Sequence, residues 1–325
     1  MIKSLVGSTM EQNEKRSAYR AVTVFPIVIL VAGLFGMFVP ELSVPINPYV
    51  IYLLGVVMFT MGLTLTTEDL KGVAKMPYAV LIGCVAQFLI MPLLGWLVAV
   101  ALQLPPLLVV GMVLLGSAPG GASSNIVAYL ARGNVALSIT MTSVSTLIAP
   151  ILTPVLVWLF AGKYLPVDFW AMFKQVLQMV LAPVVLGMTV RYFLRDVVQK
   201  CLPYIPWISM LVLSILIAGI MSKTGKILQG SLLLIFVAVF LHNALGFLLG
   251  YFAAKWAKLD DKERRAISIE VGMQNAGLAA ALAHANYAPL AVLPAAVATI
   301  WHNIAGAILA FLFNFLEKRS KAHIK

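Results

Sequence analysis

Apolar stretches of about twenty residues recur along this chain, separated by short connections that hold most of its charge. Such a pattern leaves few folds open. In hydrocarbon every backbone N–H and C=O must be satisfied internally, so a spanning segment is a helix or part of a closed barrel. Stretches this long, without the alternation of a barrel strand, predict helices, and about 20 residues suffice for one crossing. Ten spans are predicted, at 21–39, 49–66, 78–101, 107–131, 135–159, 169–192, 202–221, 231–254, 266–285 and 290–316. Pro40, Pro48, Pro77, Pro105, Pro106, Pro166 and Pro289 punctuate the connections, as helix breakers do. None of the connections can hold another domain. The 325 residues therefore read as one all-α membrane domain, with tails at 1–20 and 317–325 and five spans in each of 21–159 and 169–316.

Composition excludes the soluble alternatives. The chain is 62% hydrophobic and 11% charged, with a mean hydropathy of +0.99, whereas a soluble domain carries about 25% charged residues. A net charge of +11 would suit nucleic acid if it formed a patch, but the basic residues are spread over short connections, so topology explains them. With the N-terminus inside, the cytoplasmic segments hold Lys3, Lys15, Arg16, Arg20, Lys71, Lys75, Arg132, Arg191, Arg195, Lys200, Lys255, Lys258, Lys262, Arg264, Arg265, Lys318, Arg319, Lys321 and Lys325. Only Lys163, Lys174, Lys223 and Lys226 fall outside. This is the bias expected of cytoplasmic loops, and it predicts both termini in the cytoplasm. The absence of an N-x-Ser/Thr acceptor is compatible with a bacterial inner membrane. The bilayer and a small solute are the expected partners; no nucleic acid or protein partner is expected, and a monomer is compatible with the sequence.

Two spans cannot be plain helices. The fourth contains Pro119, Gly120 and Gly121, and the ninth contains Gly272 and Gly277 around Gln274 and Asn275. Backbone groups freed there must face protein or water. A packing kink would explain one such break, but each interrupted span is the fourth of its five-span half. An odd number of spans per half inverts the second half relative to the first. Paired broken helices in an inverted repeat are the strongest sequence pointer to a transporter's midplane site.

The ninth span also carries Glu270, the one acidic residue that this reading places at membrane depth. A carboxylate there costs several kcal/mol, so it needs a partner and a function. The nearby oxygens belong to Ser123, Ser124 and Asn125 at the first break, to Ser138 and Thr142 on one face of the fifth span, to the carbonyls of Val271 and Met273, and to Gln274. Gln87 is the central polar residue of the third span. An oxygen-only set around one carboxylate suits Na⁺ better than a transition metal, which would take His or Cys. Bland roles compete for single residues: Ser138 and Thr142 can bond back to their own helix, and Gln87 can join helices. His242 with Asn243, and His302 with Asn303, are isolated polar pairs in apolar runs, where a packed histidine competes with a substrate contact.

These motifs resemble the bile acid:sodium symporter family, in particular its bacterial ten-helix members. The resemblance covers the whole chain and is carried by Ala118-Pro119-Gly120-Gly121 with Ser124-Asn125, by the run from Tyr129 to Ser138, and by Glu270-Val271-Gly272-Met273-Gln274-Asn275. It implies a core in which the third and fourth helices cross the eighth and ninth, with a panel formed by the others. It also implies two sodium sites, one of Ser124, Asn125, Ser138, Thr142 and Glu270, the other of Gln87, Glu270, Gln274 and the carbonyls of Val271 and Met273. Candidate substrate-binding residues are Ala122, Ser123, Asn275 and His302. Ala122 departs from the threonine that relatives often carry after the two glycines, so the substrate contacts differ there. The reading is a Na⁺-coupled symporter for an organic carboxylate such as a bile acid or a pantoate-like hydroxy-acid, co-transporting two Na⁺. Proton coupling through Glu270 is the alternative within the same chemistry. A membrane-embedded hydrolase is the alternative from another class, and it lacks a second acid at this depth to orient a base.

Overall fold

The computed structural model describes residues 24–223 and 232–323. The predicted tail at 1–20, the first three residues of the span at 21–39, Lys226, Ser231 and Lys325 lie outside them. The described residues form helices and no strand. In chain order these are α1 (Val24–Phe38), α2 (Pro40–Thr64), α3 (Thr67–Lys75), α4 (Pro77–Ala101), α5 (Pro106–Ser117), α6 (Ser123–Leu130) and α7 (Val135–Ala161). They continue with α8 (Phe169–Phe193), α9 (Arg195–Cys201), α10 (Ile205–Met221), α11 (Leu232–Trp256), α12 (Asp261–Gly272), α13 (Ala276–Asn286) and α14 (Leu293–His323).

Among the described residues six spans are long and apolar enough to cross a membrane, and up to seven if α9 and α10, bent by 67°, act as one; α1 and α5 are apolar but shorter. The protein is therefore an all-helical, polytopic membrane protein. Helix starts follow local chemistry. Prolines open α2, α4 and α5, where their missing N–H costs nothing. Asn134 caps α7 through Leu137 N at 3.1 Å, and Asp168 caps α8 through Ala171 N at 2.9 Å. Capping boxes start α3 (Thr66 with Asp69) and α12 (Asp260 with Glu263). The first of these turns a stretch expected to be a plain connection into a helix.

The helices pack in two layers. In the smaller, α2 lies against α8 and α10, and α1 lies against α10. Gly62 and Gly187 let α2 and α8 approach, because a Cβ on either would strike the facing backbone. Gly36 does the same for α1 against Ala218 of α10. The larger layer holds α4 to α7 and α11 to α14. This corrects the expected division, since α14 packs with the crossing helices and α7 packs mainly with them while also lying against α8. Their polar faces explain it: Thr153 of α7 donates to the Ser117 carbonyl at 2.7 Å, and Asn314 of α14 donates to the Leu130 carbonyl at 2.7 Å.

Candidate functional site

Both expected breaks are present, and they face each other. The first runs from Ser117 to Ser123, with Ala118 extended at φ −72° and ψ 152°. The second runs from Gly272 to Ala276, with Met273 extended at φ −109° and ψ 94°. Gly277, expected within the break, is the second residue of α13. The unwound segments lie antiparallel, paired at Gly120 and Gln274. Gly121 N donates to Met273 O at 3.0 Å, and Asn275 N donates to Pro119 O at 2.8 Å. Each break thus satisfies backbone groups that the other has freed, as burial requires. The glycines allow this approach: a Cβ at Gly120 would lie 2.6 Å from Glu270 Oε2, and one at Gly121 would lie 3.0 Å from Gln274 O.

Two side chains missed as site residues complete the crossing. Ser145 Oγ accepts from Gly120 N at 3.2 Å, and Asn243 Nδ2 donates to Gly272 O at 2.7 Å. Ser145 lies three residues beyond Thr142 on the same helix face, which was the available signal. Asn243 was visible as a polar residue in an apolar run.

Glu270 lies in the last turn of α12 beside this crossing and is fully buried. Its Oε1 accepts from the hydroxyls of Ser124 and Ser138, and its Oε2 accepts from Thr142 Oγ1 at 2.9 Å. Ser138 Oγ and Thr142 Oγ1 also lie 2.8 and 3.4 Å from Asn125 Oδ1. Ser124 Oγ reaches the Gly121 carbonyl at 2.6 Å, and Thr142 Oγ1 reaches the Ser138 carbonyl at 3.1 Å. All five residues of the first expected sodium set therefore meet. Their contacts also expose an imbalance. Seven oxygen–oxygen contacts share three hydroxyl hydrogens, because a serine or threonine donates once. Lone pairs are in excess around a buried charge.

The second expected set is less closely gathered. Gln87 Nε2 donates to Gln274 Oε1 at 3.5 Å, leaving Gln87 Oε1 buried without a partner. Gln274 Nε2 donates to Val271 O at 2.7 Å, and Met273 O accepts from Gly121. Each of these carbonyls keeps a second lone pair.

A cavity of about 350 Å³ opens on the other side of the crossing. Ala122, Ser123, Asn275 and His302, the four candidate substrate residues, all line it. Ala122 occupies the N-cap position of α6 without a side-chain acceptor, whereas Asn275 caps α13 through Leu278 N at 3.1 Å. Ser124 N donates to Gly121 O at 3.0 Å, and the start of α6, without a side-chain cap, lies on the cavity, where a helix end favours an anion. His302 lies against the Gln274 backbone, with neither ring nitrogen in hydrogen-bonding geometry. His242 differs: Nε2 sits 3.0 Å from Met91 O, a packing role. Among the described residues no Lys or Arg lines the cavity.

Residues 51–231 match the model of the Sodium Bile acid symporter family. The chain belongs to that family. An uncharacterized sodium-dependent transporter of Bacillus subtilis is 42% identical over 301 residues, covering 93% of this chain and 94% of the relative. Probable chloroplastic sodium/metabolite cotransporters of Oryza sativa subsp. japonica and Arabidopsis thaliana are 36% and 38% identical. These alignments cover 91% and 89% of this chain and 74% and 72% of the two relatives. The symporter family consists of transporters, and this member is a transporter rather than an enzyme, which sets aside the hydrolase.

Proposed function

We propose that this transporter couples Na⁺ to the uptake of a small organic carboxylate by alternating access. The observation that carries the reading is the surplus of lone pairs around Glu270. A bound cation needs oxygens and no hydrogens, so Na⁺ among Ser124, Asn125, Ser138, Thr142 and Glu270 resolves what three hydroxyl hydrogens cannot. The oxygen-only set of these residues fits a hard cation. A second Na⁺ is assigned to Gln87, Glu270, Gln274 and the carbonyls of Val271 and Met273, where Gln87 Oε1 lacks a partner.

Joining α5 with α6, and α12 with α13, across the breaks gives ten crossings in two halves of five. The packing supports inverted halves: α1 lies on α10 as α8 lies on α2, and each half places its last three crossings in the larger layer. Both termini are assigned to the cytoplasm of a bacterial cell. In that orientation the cavity is lined by the cytoplasmic ends of the smaller layer, at Phe25 of α1, Thr64 of α2 and Ile205 of α10. It is therefore read as the inward-facing substrate cavity. The substrate carboxylate meets the start of α6, with Ser123, Asn275 and His302 as polar contacts and an apolar body against α2 and α10.

The test is the thermal stability of purified protein with a panel of carboxylates, in NaCl or in choline chloride. Ligands binding the folded state raise its midpoint. Stabilisation by a carboxylate that requires Na⁺ is expected; equal stabilisation in choline chloride would overturn the coupling.

A further inference from the structure

We propose that Arg265, together with Glu317, is a positioning residue for the sodium ligands on α6, acting from the opposite end of that helix. The proposal rests on the reading of Ser124, Asn125 and Glu270 as Na⁺ ligands. α6 has eight residues, so it is about 12 Å long. Its first turn carries Ser124 and Asn125, and its start has no side-chain cap. What joins that turn to α12 is the Ser124 hydroxyl on Glu270, a hydrogen bond that Na⁺ replaces when it takes the same oxygens.

The far end is fixed differently. Ala131, the C-cap of α6, accepts at its carbonyl from Arg265 Nη1 at 3.0 Å. A cation there also opposes the negative end of the helix dipole. Arg265 sits on α12 five residues before Glu270, about 7.5 Å along the axis. One helix therefore grips the other at both ends, with a carboxylate at the start and a guanidinium at the finish.

The guanidinium is itself held. The residue is only 7% exposed. Nη1 also donates to Glu317 Oε2 at 3.0 Å, Nη2 donates to Asp261 Oδ2, and the group lies 5.6 Å from the Phe313 ring centroid. Arg132, directly after Ala131, pairs with Glu317 at 3.6 Å. Nε is buried without a partner, but both terminal nitrogens are engaged, so the planar group cannot shift without losing several charge-assisted bonds at once. α6 thus keeps its register while Ser124 exchanges a hydrogen bond for a metal contact.

The experiment needs no substrate. Purified protein is titrated with NaCl replacing choline chloride at constant ionic strength, and the thermal midpoint is followed. In Arg265→Lys and Glu317→Gln the Na⁺ concentration at which the midpoint begins to rise increases about tenfold, the effect of losing one charge-assisted bond. Above that onset the rise per tenfold of Na⁺ stays that of the wild type. If the variants lower the midpoint equally at every Na⁺ concentration, choline chloride alone included, and leave the onset unchanged, the cluster is structural only and the proposal falls. Should Arg265→Lys not fold, Glu317→Gln at the partly exposed end of the pair decides alone. Wild-type protein stabilised no better by Na⁺ than by choline would overturn the sodium reading itself, a result distinct from an unchanged onset in responsive protein.

Discussion

Glu270 and the glycine facing it constrain one another. Among the described residues the carboxylate has hydroxyl partners but no basic one, so on the sodium reading its charge is balanced when a cation arrives. Glu270→Gln keeps the shape and removes the charge. We expect the Na⁺ concentration at which thermal stabilisation sets in to rise at least about tenfold; an unchanged Na⁺ titration would remove Glu270 from the site. Gly120→Ala tests the same atoms from the opposite side. Its Cβ would lie 2.6 Å from Glu270 Oε2, closer than two such atoms tolerate, so the carboxylate must move. Weaker Na⁺ stabilisation with the protein still folded is the expected outcome, read by the same titration. That Glu270 needed partners was legible in the sequence, because a buried charge demands them. The role of Ser145 was not, because a hydroxyl on a polar helix face looks the same whether it accepts from its neighbour's backbone or bonds to its own helix.

Among the elements, the breaks were the most legible feature and the clasp between them the least. Proline followed by two glycines announces an interruption, but the bonds Gly121 to Met273 and Asn275 to Pro119 run backbone to backbone, and side-chain chemistry leaves no trace of them. For a similar reason α3 was missed: nine residues of mixed polarity resemble a connection until Thr66 and Asp69 are read as a capping box. The membership of α7 and α14 in the larger layer depends on which faces meet, and a nearly uniform apolar helix does not declare its face. Pro119→Ala restores one N–H and a local helical preference. Transport per folded molecule should fall at least about tenfold while the thermal midpoint moves little, as expected for a site rather than a kink. Transport at the wild-type rate from a destabilised variant would mark the break as packing alone.

For the molecule as a whole, the proposed stoichiometry is an electrical statement. Two Na⁺ with a monovalent carboxylate move one net positive charge per cycle, and about 2.3 kcal/mol is gained for each 100 mV crossed. Substrate-evoked inward current in proteoliposomes at clamped potential is expected; its absence with a monovalent anion would exclude two ions. The antiparallel bridge carries a different kind of consequence. If the halves are inverted copies, the pairing of Gly120 with Gln274 lies on the axis relating them, and positions 154 apart correspond, as 274 and 120 do. A half-length ancestor inserted in both orientations could make the same clasp with its own twin. Glu270 then corresponds to Gly116, whose missing Cβ lets α5 lie directly on the Met91 and Pro92 backbone. Close packing in one copy leaves no room for a side chain there, so a duplicated gene could acquire the charge in one copy only, and a symmetric shell would become a machine with a single ion-binding pole.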